Sequence, residues 1–191
     1  MAASPNIPSN PVGEIFPQRD DRVVSIRSYV PRDKADVHRL YHEGLITGVV
    51  DPLDPAHDLD EVERAYLVRP EDHFWIADVS GEAIGSIAIK LEDNRVAHVR
   101  RLRVDGNWKT WRNGAIPRAL IAKATQHARE FGGLKLVLHT PVDDREVIAL
   151  LHQLGFVYAG AKEVPGRHLL EFYLDLYYRP VCSPCAGGGG V

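Results

Sequence analysis

Arg112-Asn113-Gly114-Ala115-Ile116-Pro117-Arg118-Ala119-Leu120-Ile121 decides how this chain is read. It is a strand-to-helix turn: an apolar-patterned segment precedes it, and Pro117 sits where the first helical turn begins. The first N–H groups of a helix lack intrahelical partners and lie at the positive end of the macrodipole, so such a turn suits a phosphate. Downstream, Ile116, Leu120, Ala124, Ala128 and Phe131 recur at three- and four-residue steps until Gly132-Gly133, which predicts a helix over 116–131.

Working outward, strand and helix signals alternate. Val23–Tyr29 reads as a strand, and Pro31 opens a helix to about Gly44 with Val37, Leu40 and Tyr41 on one face. A loop with Pro52 and Pro55 leads to a second helix near Asp58–Leu67. Residues 73–79 and 83–91 form a hairpin about Ser80-Gly81-Glu82, and Arg95–Val104 is the next strand. After the 116–131 helix come a strand at Leu134–Leu138, a helix at Asp144–Gln153, a strand at Gly155–Ala161 and a last strand over 168–178. In the last, Leu170, Phe172, Leu174 and Leu176 alternate with Glu171, Tyr173 and Asp175. This order predicts an α/β chain, with a mixed sheet of about seven strands and four helices on its faces. The domain spans 22–178, between a Pro/Ser/Asn-rich leader (1–21) and a Gly-rich tail (179–191).

Composition narrows the function classes. The 191 residues carry 23 basic and 26 acidic side chains, a net charge of −3, which gives no electrostatic case for nucleic acid. No stretch has the length and apolarity of a membrane span, and Met1–Pro8 is not patterned as a signal peptide; a cytoplasmic protein is expected. Cys182 and Cys185 supply half a zinc site at most, and the Asp/His spacing near residue 57 matches no metal loop, so no metal is expected.

Two stretches in register, Arg101-Leu102-Arg103-Val104…Arg112…Ala119-Leu120-Ile121 and Ala149-Leu150-Leu151-His152-Gln153-Leu154-Gly155-Phe156, carry a family likeness. With the element order, they make the chain resemble the GNAT superfamily of N-acetyltransferases over residues 22–178. The resemblance implies that the fourth and fifth strands splay apart and admit acetyl-CoA as co-substrate. The pantetheine arm would pair with Leu102, Arg103 and Val104, and the pyrophosphate would rest on Arg112, Asn113, Gly114, Ala115, Ile116 and Arg118. Ala115 and Pro117 replace two small residues, usually glycines, and proline offers no N–H. Three extra residues, with Trp108 and Trp111 nearby, lengthen the connection before the turn.

Acetyl transfer to an amine needs a base for the ammonium proton and an acid for the leaving thiolate. The resemblance places the base at His98 and finds Leu151 where a tyrosine would protonate the thiolate; Tyr158, His152 and His139 are the substitutes on offer. The acidic run Asp51, Asp54, Asp58, Asp60, Glu61 and Glu63 is either a lure for a cationic amine or a helix start stabilised by its own acids. Strict alternation would put Arg101 and Arg103 on one face and Arg100 on the other, unless a bulge intervenes. Tyr173 and Tyr177 suit a homodimer contact. Two functions fit: an enzyme acetylating a primary amine of a small molecule or protein, and a non-catalytic module that binds acyl-CoA or a protein or peptide partner.

Overall fold

The computed structural model describes residues 24–43, 56–106, 114–164 and 167–177. Arg112, Asn113, Trp108, Trp111, Asp51, Asp54, both cysteines and the two chain ends lie outside them. The elements are β1 (Val24–Ser28), α1 (Lys34–Glu43), α2 (His57–Asp60), α3 (Val62–Tyr66), β2 (His73–Val79), β3 (Glu82–Leu91), β4 (Val96–Val104), α4 (Ala115–Glu130), β5 (Lys135–Pro141), α5 (Arg145–Gln153), β6 (Val157–Val164) and β7 (Arg167–Asp175). A 3-10 turn at Pro31–Asp33 leads into α1.

The strands form one seven-stranded sheet, ordered β1-β2-β3-β4-β5-β7-β6. All neighbours are antiparallel except β4 and β5. The β2–β3 hairpin turns through Ser80 (φ 55°) and Gly81 (φ 91°), the pair of positive φ values that suits strand twist. Asp78 accepts the Gly81 N–H at 2.8 Å and fixes that turn. α4 and α5 cover one face, where Ile87, Ile89, Leu102, Leu120, Leu136 and Phe172 share a core. Gly85 allows the close approach: a Cβ there would stand 3.1 Å from the Arg103 carbonyl and 3.2 Å from Leu120. The opposite face of β2–β4 is covered by α1–α3 through Leu40, Tyr41, Leu59, Tyr66 and Phe74.

The one helix expected near Asp58–Leu67 is two short ones, broken at Glu61 (φ −134°, ψ 54°). In a continuous helix, residues 58 and 66 would be about 12 Å apart along the axis. The bend brings the Tyr66 hydroxyl onto the Asp58 carboxylate instead. The last strand ends at Asp175, whose carboxylate accepts the Tyr177 N–H at 2.9 Å and turns the chain.

His73, Trp75, His127 and Phe131 stack at the C-terminal half of α4, with ring centroids 4.6–5.3 Å apart. Burial is the first cause that pushes both imidazoles below the ordinary histidine value of 6.5, so the folded state favours them neutral. The unfolded chain therefore takes up protons first. Stability from this cluster is complete above about pH 6.5 and declines as pH falls from there toward the folded values. Thermal melts should show Tm falling on acidification, with a shallower fall in His127→Gln; parallel wild-type and variant curves would assign the acid sensitivity elsewhere.

Candidate active site

β4 and β5 pair only over Val96↔Lys135, Ala97↔Leu136 and His98↔Val137. Beyond His98 the strands part. β4 stays bonded to β3 as far as Gly85↔Val104, and β5 stays bonded to β7 as far as Pro141↔Leu169. Each strand is thus held on its far side while the facing edges separate. The chain runs from β4 through α4 to the parallel β5, so α4 must begin at the end where β4 finishes, which is the open end.

The α4 start has no side-chain cap and no acid in its first turn. Gly114 is its N-cap at φ 75°, a left-handed conformation that costs other residues about 1–2 kcal/mol. Arg118 N–H donates back to Gly114 at 3.3 Å. Ala115 and Ile116 lie ahead of the first intrahelical donor, and Pro117 is buried and has no N–H. The Arg118 guanidinium crosses to the Gln153 side-chain oxygen at the end of α5.

A bulge interrupts β4. Ser86 opposes Arg103 but Ala88 opposes Arg100, so β4 holds one residue more than β3, and Arg101 takes φ 54°. The Ser86 hydroxyl donates to the Arg101 carbonyl at 2.9 Å. The bulge overturns simple alternation. Arg101 and Arg103 both lie over the Tyr41 ring, at 5.2 and 5.5 Å. Arg100 pairs across from Ala88 of the α1–α3 core, and its charge acts on Tyr66. All three arginines therefore face α1–α3, whereas Leu102 and Val104 turn into the α4 core.

Asp58 is neither a lure nor a solvated helix end. It accepts from Arg101 Nε at 2.9 Å and from the Tyr66 hydroxyl. Burial, followed by this carboxylate, drives the Tyr66 phenol far above its ordinary value, so it stays a donor. Asp60 lies 3.4 Å from His38, and Glu61 lies 3.1 Å from Arg64.

His98 is the last residue of β4 paired with β5, and its Nε2 is 3.4 Å from Glu92. Tyr158 is on β6, half exposed, with its ring against Phe172 of the α4–α5 core. β5 and β7 separate β6 from β4, so the two candidate catalytic side chains are not brought together. Leu151 is wholly buried, and His152 lies against Phe172. Tyr173 lies beneath the Lys135 ammonium, 5.1 Å away, and Tyr177 stands exposed beyond β7. A groove of about 940 Å³ runs between the C-terminal half of α4, residues 154–157 and Tyr173 of β7, and contains none of the candidate catalytic or cofactor-binding residues. No cluster of metal-ligating side chains occurs among the described residues.

One pair escaped the sequence reading. His139, two residues past the last β4–β5 pair, has its Nε2 2.9 Å from Glu171 of β7. Alternation in each segment hinted at it, but only the β5–β7 register puts the two opposite each other.

Residues 34–156 match the model of the acetyltransferase (GNAT) family. The chain belongs to that family. It is 31% identical to an N-acetylaspartate synthetase of Xenopus tropicalis over 132 residues, 65% of this chain and 48% of that protein. It is 29% identical to an IAA acetyltransferase of Azospirillum brasilense over 124 residues, 64% of this chain and 79% of that one. The chain spans about half the length of the N-acetylaspartate synthetase it matches. Among solved structures, an acetyltransferase of the GNAT family from Staphylococcus aureus Mu50 superposes with a TM-score of 0.69 at 18% identity, covering 81% of this chain and 99% of that one. A spermidine N-acetyltransferase from Vibrio cholerae, solved with CoA and spermine, gives 0.64 at 17% identity over 81% and 96%. At these identities the likeness is one of fold.

The Arg101–Asp58–Tyr66 contacts pin α2 and α3 to the bulge, and the Arg101 side chain is only 10% exposed. Asp58→Ala should cost about 3 kcal/mol by taking its carboxylate away from a largely buried guanidinium, and Tyr66→Phe about 1 kcal/mol. Urea unfolding measures both; equal, negligible losses would mean that these contacts do not hold the segment.

Proposed function

We propose that this chain is an acetyl-CoA-dependent N-acetyltransferase that moves acetyl to a primary amine by direct attack within a ternary complex. The observation that supports it best is the parting of β4 and β5 beyond His98 while their far edges stay bonded. An extended, amide-bearing arm fits such an edge because it can replace the missing strand. Backbone groups of Leu102, Arg103 and Val104 would serve the arm. The uncapped start of α4, at the same end, would take the diphosphate through N–H groups of Gly114, Ala115 and Ile116 and the guanidinium of Arg118, with Arg112 and Asn113 just ahead. A charge-assisted hydrogen bond is worth about 1.5–3 kcal/mol, so Pro117 weakens the site without abolishing it.

The amine would approach from the α1–α3 face, where His98 and His139 are the imidazoles carried by the parting strands. Attack on the thioester carbonyl forms the C–N bond, and departure of the thiolate breaks the C–S bond. With Leu151 buried in place of a phenol, the thiolate would be protonated through solvent or by a proton from the new amide nitrogen. Orientation of the two reactants would supply most of the acceleration.

The buried Leu151 also favours a second reading, a module that binds acyl-CoA without turning it over. Thermal shift with millimolar acetyl-CoA, then thiol release against a panel including spermine and L-aspartate, separates the two. Stabilisation with thiol release supports the enzyme, stabilisation alone the module, and no stabilisation neither. Pro117→Gly restores one donor and should tighten acetyl-CoA binding roughly ten-fold; unchanged affinity would place the diphosphate elsewhere.

A further inference from the structure

We infer that His139, oriented by Glu171, is the base that takes the ammonium proton of the acceptor; this rests on the acetyltransferase reading above. Among the described strand residues, the two imidazoles that face α1–α3 differ in position. His98 belongs to the last residue pair that still bridges β4 and β5, and it leans to Glu92, 3.4 Å away. His139 lies two residues further along β5, inside the stretch whose β4 edge has gone. It shares a face with Val137 and His98, because side chains two apart on a strand point the same way. His139 therefore borders the opening, and His98 stands at its closed end.

Glu171 sits directly opposite on β7, with its carboxylate 2.9 Å from His139 Nε2. An ionised carboxylate only accepts, so Nε2 carries the proton and Nδ1 holds the free lone pair. A carboxylate fixing one ring nitrogen so that the other can work is the logic of a base–orienter pair. His139 is 27% exposed, open enough to meet a substrate yet partly desolvated. That burial lowers its basicity and Glu171 partly restores it, while Lys162 on β6 and His98 on β4 lower it further.

Nδ1 takes one proton from the ammonium, giving imidazolium and a free amine. The nitrogen lone pair attacks the thioester carbon, the C–S electron pair leaves with sulfur, and the second nitrogen proton goes to the thiolate. The products are amide and CoA thiol, and the imidazolium returns its proton to water. Glu171 is a positioning residue: it touches His139 and not the reactants.

Two measurements test this. Diethyl pyrocarbonate labels accessible neutral imidazoles; saturating acetyl-CoA should protect His139 and leave the exposed His42 reactive in peptide mass spectra. With whichever panel amine is turned over, His139→Gln should lower kcat/KM by about 100-fold or more and remove the acidic limb of its pH profile. Glu171→Gln should move that limb to lower pH, because the raising charge is gone, a change that mere loss of packing would not make. His98→Gln should leave a limb in place. Undiminished labelling of His139 while acetyl-CoA is bound, or a limb that vanishes with His98 instead, overturns the assignment and leaves the acetyltransferase reading standing. Failure to bind acetyl-CoA at all sinks the parent reading, and the base with it.

Discussion

Everything in this molecule's site depends on how β4 divides its hydrogen bonding between two neighbours. A strand inside a sheet ordinarily satisfies both edges along its length, since unpaired backbone groups are costly when buried. β4 does so on the β3 side to its end, but on the β5 side for three residues only. The departure is tolerable because β5 is anchored in turn by β7 over its whole length. Two rigid half-sheets therefore diverge from a common seam, and the gap belongs to the scaffold rather than to a mobile loop.

The extra residue at Arg101 serves the same end. A bulge bends its strand and strengthens the local twist. Here it also regroups charge, placing Arg100, Arg101 and Arg103 toward α1–α3 and matching one of them to Asp58. The segment that borders the proposed acceptor side is thus held by an ion pair and a phenol instead of by helix continuity. This explains why α2 and α3 are short and why Glu61 leaves helical geometry.

Much of the fold was legible in the sequence, and the reasons are physical. Hairpin β2–β3, α4 and β7 declare themselves by period and by turn residues, because burial on one face forces those patterns. The break at Glu61 and the bulge at Arg101 left no such trace: Leu59, Val62 and Tyr66 keep a helical spacing across the break, and a bulge changes faces without changing composition. Candidate site residues divide in the same way. The Gly114 turn is a local feature that the chain alone marks, and His98 is one that the family resemblance marks at a single strand position. The His139–Glu171 contact depends on residues 32 apart and on the register of two strands, which no local window contains.

Ser86 carries a last consequence. Its hydroxyl holds the Arg101 carbonyl at the bulge, from a strand that borders no part of the gap. Selection acting there would alter how sharply the seam flares while every group meeting a ligand kept its identity. A shorter or absent hydroxyl at this position would therefore change the shape of the gap from outside its own lining.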